Sequence, residues 1–329
     1  MCNTSRHEIW VVAINPWFAF ALGTVFAAFS DYSQRMDRAE LAQVRRFNRI
    51  VTQRVGALSD RFLARDRSLG EARLLWEIGA EGRDVRSLRN LLELDSGYLS
   101  RLLRSLEAAG LVTVGPKESD KRVRIARLTP AGSAERQLLD QRSDKLAASL
   151  LAPLNASQRA RLVAAMVDVE QLLTAAMVEV APIDPAHRHA QHCLQAYFSE
   201  LDGRFEMGFD PALSIPVDTE ELRPPAGLLL VASLRADQVG CGALRFHGKE
   251  PAEIKRMWVA KPARGLGIGR RLLGELEDRA AHHGSPAVRL ETNKTLTEAI
   301  SLYRSAGYLE VDPFNDEAYA HLWFEKRIS

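Results

Sequence analysis

Three glycines at alternate positions, Gly265, Gly267 and Gly269, precede the segment "RRLLGELEDRA". Glycine at that density is not a helix composition, whereas the segment after it is. A side-chain-free backbone at the mouth of a helix leaves unpaired amides that converge on an anion, and the helix dipole adds to the attraction. Three phosphate-binding patterns compete for the stretch. A Walker loop needs Lys followed by Ser or Thr after its last glycine, and Arg270 and Arg271 stand there. A dinucleotide fingerprint needs G-x-G-x-x-G. From Gly265 and Gly267 the third position is Arg270, and from Gly267 and Gly269 it is Leu272, so neither register fits. R-x-x-G-x-G fits, with Arg264, Gly267 and Gly269, directly after the strand-like "EIKRMWVA". The alternative is a strand-to-helix turn with no ligand.

A second group of residues suits a different anion. In "SGYLSRLLRSLEAAG", Leu99, Leu102, Leu103 and Leu106 form an apolar stripe. The opposite face leaves Ser96, Gly97, Tyr98, Ser100, Arg101 and Arg104, the short polar and basic residues a helix needs in a major groove. The following "GPKESDKRVRIAR" carries Lys117, Lys121, Arg122 and Arg124 against Glu118 and Asp120. Such a hairpin lays cations along phosphates or into the minor groove. A winged helix used only for protein contacts is the alternative.

Positioning these residues takes two units. The chain has 329 residues, 46% hydrophobic and 26% charged, with net charge +2. That is soluble, two-domain material, and any basic surface is local. Cys2, Cys193 and Cys241 are too few for a disulfide framework and point to a reducing compartment. To about Leu173 the pattern is mostly helical, broken by the short strand-like runs "LVTVGP" and "RVRIARLT". Asp95 or Ser96 caps the helix that Gly110 stops, and Thr129 with Pro130 starts another. From Val178 strands and helices mix: "VEVAPI", "GLLLVASL", "QVGCGALRFH", "AEIKRMWVA", "AVRLETN" and "HLWFEKRI" read as strands, while "PAHRHAQHCLQAYFSELDGRF" and "LTEAISLYRSAG" read as helices. The fold class expected is a mainly α winged helix-turn-helix at 36–176, followed by an α/β unit at 177–329 with a mixed sheet and flanking helices. Residues 1–35 hold an uncharged run, Ile9 to Phe29, long enough to span a bilayer. It reads as an anchor or signal, or as a leader ahead of a true start at Met36; the second fits a cytoplasmic protein with no membrane association.

"GYLSRLLRSLEAAGLV" followed by "SDKRVRIARLTPAG" resembles the MarR family of transcription regulators, over residues 38–174. The matching residues are the recognition helix, Asp120 and Arg122 of the wing, and the "LTPAG" that opens a long helix. The resemblance implies a homodimer, built from the first and last helices, on palindromic double-stranded DNA.

The glycine loop, with "LETNKTLTEAISLYRSAGYLEV", resembles the GNAT acetyltransferases from about Val178 onward. The second motif is Ala299, Leu302, Tyr303, Gly307 and Tyr308. The resemblance implies acetyl-CoA as co-substrate, its pyrophosphate on Arg264, Gly265, Gly267, Ile268, Gly269 and Arg270. Backbone groups of Met257 and Val259 are implied to hold the pantetheine arm. Asn293 resembles an asparagine that contacts the coenzyme, at a longer spacing to the following alanine than the family's. Acetyl transfer to an amine needs a base for the ammonium proton and benefits from an acid at the departing thiolate. Tyr303 resembles the family's acid; a core aromatic is its other reading. Glu253, eleven positions before Arg264, is the base implied by the histone-acetylating branch, and Glu291 is the second candidate. An edge charge, or a water chain in place of either carboxylate, stays open. Glu200, Asp202 and Glu206 suit a cationic amine or are ordinary exposed charge. His189, His192 and Cys193 share a helix face, yet the transfer needs no metal and none is expected. The function expected is a DNA-binding regulator fused to an N-acetyltransferase for a small amine. The alternatives are an acyl-CoA or metabolite sensor without turnover, and a protein-lysine acetyltransferase.

Overall fold

The computed structural model describes residues 37–328 except 58–62, 64–66, 216 and 236. The apolar run at 9–29 and Met36 lie outside the described residues. Among those described, no helix is long and apolar enough to cross a membrane.

The N-terminal half is built by capped helices. Helix α1 (Arg38–Arg54) opens on a capping box of Asp37 and Glu40, and α2 (Leu69–Ile78) on one of Ser68 and Glu71, each satisfying two amides that helix geometry leaves free. A two-residue strand, β1 (Arg83–Asp84), leads into α3 (Val85–Leu91). Helix α4 (Ser96–Ala108) is capped by Asp95, which accepts from the Tyr98 amide at 2.8 Å. Strands β2 (Val112–Lys117) and β3 (Asp120–Leu128) form the hairpin, and β1 adds to the free edge of β3. Helix α5 (Pro130–Leu151) begins as expected, with Thr129 as cap and Pro130 in the first turn. Its Gly132 has a packing reason: a Cβ there would stand 1.9 Å from the Leu111 carbonyl oxygen. Helix α6 (Ala156–Ala176) follows a capping box of Asn155 and Gln158. Leu74, Leu75, Ile78, Leu88, Leu106 and Leu139 form the centre of this half's own core.

The C-terminal half is a seven-stranded mixed sheet, in the order β4-β5-β6-β7-β8-β10-β9. The strands are β4 (Val178–Pro182), β5 (Gly227–Leu234), β6 (Asp237–Arg245), β7 (Ala252–Val259), β8 (Ala287–Thr292), β9 (Leu309–Val311) and β10 (Leu322–Arg327). Helix α7 (Arg188–Arg204) packs on one face through Ala190 and Cys193. Helix α8 (Ile268–His283) packs on the other through Ile268, Leu272, Leu273 and Leu276, joined by α9 (Thr297–Ser305) through Ile300 and Tyr303. Helix α7 starts at Arg188, after a turn the sequence pattern absorbed into it. Strands β1 and β9 were not expected, because two or three residues are too few to show alternation.

Two irregularities shape the sheet. Strands β7 and β8 run parallel but pair only at Ala252–Val288 and Glu253–Arg289. Beyond those pairs they part, and the edge of β7 is left open. Strand β7 also carries a bulge: Cys241 faces Trp258 and Ala243 faces Lys255, so two residues, Arg256 and Met257, stand opposite Gly242. Arg256 takes the extra position with φ of 57°, a left-handed conformation that a long side chain rarely adopts.

Candidate functional site: a cleft where the sheet splits

Two cavities open where β7 and β8 part. The larger, about 500 Å³, lies among α7, the outer end of β7, the loop at 260–267 and α9. The smaller, about 90 Å³, lies between the diverging strands and is bordered by the segments at residues 205–215 and 317–320. Their walls share Tyr197, Leu201, Met257, Leu296, Ala299 and Tyr303. Two compartments with one common wall suit a group transfer between two ligands.

The larger cavity ends on the glycine loop. Gly265 and Gly267 hold φ of 85° and 74°, values glycine adopts without strain. Gly267 starts α8, and no side chain caps the helix. Its first amides are therefore left for a ligand at the positive end of the dipole. Gly269 serves close packing: a Cβ there would meet Leu302 Cδ2 at 3.2 Å. Ile268 turns its side chain into the core, and Arg270 donates to Ser305 Oγ at 2.6 Å. The Arg264 guanidinium donates to both Glu200 oxygens at 2.6 Å and to the Val259 carbonyl at 3.1 Å. Arg264 thus ties the loop to α7 and β7. Met257 and Val259 line the larger cavity, while Asn293 lines the smaller. Asn293 donates to the Tyr319 carbonyl and accepts from the amide and hydroxyl of Thr295; its side chain braces loops.

The two candidate carboxylates stand in different surroundings. Glu253 is 4% exposed and lines neither cavity. Lys255, Arg245 and His247 each approach it at 3.4 Å. Burial opposes its ionisation, but the cations outweigh burial, Lys255 most, then Arg245, Arg289 and His247, and hold the carboxyl below its ordinary value. Glu291 lines the smaller cavity. Burial pushes its carboxyl above the ordinary value, against the opposing pull of its ion-pair partner Lys255. Of the two, only Glu291 lines a cavity, and its raised carboxyl is the more basic. Tyr303, 5% exposed, lies in the common wall, and burial raises its hydroxyl pKa, keeping it protonated. Tyr197 lies in the same wall, with burial pushing it up to about 12. Tyr197 does not stand out in the sequence, because one aromatic in an amphipathic helix carries no signal of its own. Glu200 is bound by Arg264, Trp258 and Arg204, and Asp202 accepts from the Phe209 amide. Neither lines the smaller cavity.

A model of the acetyltransferase (GNAT) family matches residues 191–308, and a MarR-family model matches residues 66–123. Over 125 residues the chain is 32% identical to an uncharacterized N-acetyltransferase of Schizosaccharomyces pombe, covering 37% of this chain and 75% of that protein. The chain belongs to the GNAT acetyltransferases. It joins this GNAT domain to a MarR-family domain. Over 99 residues it is also 40% identical to a protein of Azospirillum brasilense named IAA acetyltransferase; that match spans 30% of this chain and 65% of that protein's length. An acetyltransferase of the GNAT family from Staphylococcus aureus superposes with a TM-score of 0.40 at 18% identity, over 46% of this chain and 99% of that one.

The MarR domain presents its basic residues outward. On α4, Ser96, Ser100, Arg101 and Arg104 are exposed, while Tyr98 is half-buried, its hydroxyl over Gly70 and its ring beneath Arg101. Lys117, Lys121, Arg122 and Arg124 are exposed on the hairpin, where the Arg122 amide donates to Asp120 at 3.0 Å. In the GNAT domain the histidine cluster does not converge. Cys193 is buried against the Gly240 carbonyl, while His192 is exposed. Among the described residues no group of three or more His, Cys, Asp or Glu could hold a metal ion.

Proposed function

We propose that the protein is a dimeric DNA-binding regulator whose GNAT domain transfers acetyl from acetyl-CoA to the amine of a small molecule, the two units dividing at residues 176 and 177. The observation that carries the transferase reading is the wall shared by the two cavities, with Tyr303 in it and Glu291 on the acceptor side. The coenzyme's pyrophosphate lies on the amides of residues 268–270, and its pantetheine arm runs along the open edge of β7. The acetyl carbonyl then reaches the common wall. Glu291 accepts one proton from the acceptor's ammonium, the free amine attacks the carbonyl carbon, the Tyr303 hydroxyl protonates the departing thiolate, and the second proton leaving the nitrogen restores Tyr303. Glu253 keeps Lys255 in place from behind.

The MarR domain supports DNA binding through its exposed cations. Dimerisation is supported by apolar side chains left open on α1 and α6. Val44 and Ile50 are 56% exposed, and Leu172 is 70% exposed, a stripe larger than isolated surface residues need. Thiol release from acetyl-CoA over a library of small amines tests the transferase. The expected result is turnover that Tyr303→Phe suppresses while calorimetry shows unchanged coenzyme affinity. Coenzyme binding that alters DNA affinity, with no acceptor turned over, would favour a sensor instead.

A further inference from the structure

The smaller cavity holds one cation with no ion-pair partner among the described residues. Four charged side chains line it: Lys255, Arg256, Glu291 and Glu317. Lys255 is paired with Glu291 and Glu253. Glu317 accepts from Ser214 Oγ and from the Ile215 amide, both at 2.9 Å, and so clasps one closing loop to the other. Arg256 has no carboxylate partner among the described residues. Its guanidinium lies over the Phe198 ring at 4.7 Å and the Tyr197 ring at 5.8 Å, and it shares a hydrogen bond with the Tyr197 hydroxyl. Its backbone is the left-handed residue of the β7 bulge. A strained backbone that re-aims a side chain into a cavity is characteristic of a ligand clamp.

We infer that Arg256 binds the carboxylate of the acceptor, and that the acceptor is a small amino acid with a short apolar side chain. The inference rests on the transferase reading above and names its substrate class. Guanidinium and carboxylate match in a planar, two-pronged pairing. The base and the clamp line the same cavity, and both act electrostatically on the Tyr197 hydroxyl in its wall. The remaining walls include Phe205, Phe209, Ile215 and Leu290, which are apolar, and the rings of Phe205 and Phe209 pack on Tyr319 at 5.4 and 4.9 Å. A cavity of about 90 Å³ suits a short side chain. In the transfer, the α-ammonium gives one proton to Glu291, and the free amine forms the C–N bond. The thioester C–S bond breaks, the thiolate takes a proton from Tyr303, and the second proton leaving the nitrogen returns to Tyr303. The product is an N-acetyl amino acid and free coenzyme A, with the carboxylate unchanged on Arg256.

The test compares matched pairs in the thiol-release assay on the full chain: alanine with ethylamine, valine with isobutylamine. The wild type should prefer the acids in kcat/KM by about 10- to 100-fold, the range expected for hydrogen bonds to a charged group. Arg256→Met should erase most of that preference, mainly through KM, with amine rates changed less than about threefold. Arg256→Lys should restore part of it, and acetyl-CoA affinity by calorimetry should be unchanged in both. Equal rates for acids and amines in the wild type overturn this inference and leave the transferase reading standing. Loss of both substrates to the same degree in a folded Arg256→Met assigns Arg256 a purely structural role and also overturns it. No thiol release with any amine, while acetyl-CoA still binds, removes the transferase reading and this inference with it.

Discussion

Arg101, Arg104, Lys117, Lys121, Arg122 and Arg124 all stand exposed on the MarR domain, one helix and one hairpin apart. In the GNAT domain Glu253, Lys255 and Tyr303 are 4%, 8% and 5% exposed, and the Glu291 side chain is 8% exposed. The first set acts through side chains in high dielectric, where each charge contributes a small and roughly independent amount. The second set is buried around a cleft, where burial shifts Glu291 and Tyr303 and each group depends on its neighbours. Even the anion sites differ. The MarR domain offers cations on side chains, whereas the loop before α8 offers backbone amides that glycine leaves uncovered. A buried site is therefore expected to fail sharply and with pH, and an exposed one gradually and with salt.

The largest effect should come from Tyr303→Phe. The ring and its packing on Phe324 survive, but the proton donor is lost, so turnover should fall about 10²- to 10⁴-fold in a thiol-release assay. A wild-type rate would place the acid elsewhere. Next, Glu291→Gln should lower the rate by a similar order at neutral pH. In the wild type, activity should rise with pH through the elevated Glu291 pKa, because only the ionised carboxylate accepts a proton; that acid limb should vanish in Glu291→Gln and persist in Glu253→Gln. The reverse pattern in a pH–rate profile would return the base to Glu253. Glu253, whose pKa is depressed, adds stability above its ordinary value of 4.5; that stability should be lost as pH falls from there through the lower folded value, and acid titration of a Glu253→Gln variant should show no such loss.

Smaller effects follow. Gly269→Glu sets a carboxylate beside the helix amides and against Leu302, and should weaken acetyl-CoA at least about tenfold by calorimetry, about 1.4 kcal/mol. Unchanged affinity in a folded variant would remove the loop from the coenzyme site. On the exposed side, Arg122→Ala should weaken DNA binding across sequences and lower the salt slope by about one. Arg101→Ala should also relax specificity in a competition assay. Smallest of all, Asp95→Ala removes the α4 cap and should destabilise the MarR domain by about 1 kcal/mol in a thermal melt.

Much of this was visible in local pattern. Thr129 and Pro130 announce α5, Asp95 announces α4, and the glycine loop announces the open end of α8, because caps and glycine conformations act within a few residues of themselves. The leucine stripe of α4 and the cations opposite it follow from helical periodicity alone. The roles of Glu253 and Glu291 do not. Both are strand glutamates, and what separates them is that β7 and β8 pair at two positions and then part, leaving one carboxylate among cations and the other in a cavity wall. Arg264 is likewise drawn to Glu200 by a helix 64 residues away in the chain. Arg256 reads as one more strand cation until a bulge places it in the cleft wall with no carboxylate partner among the described residues. Short-range chemistry set the elements and the anion loop; the burial, charge partners and aim of each catalytic candidate came from strands and helices distant in sequence, whose approach no local pattern records.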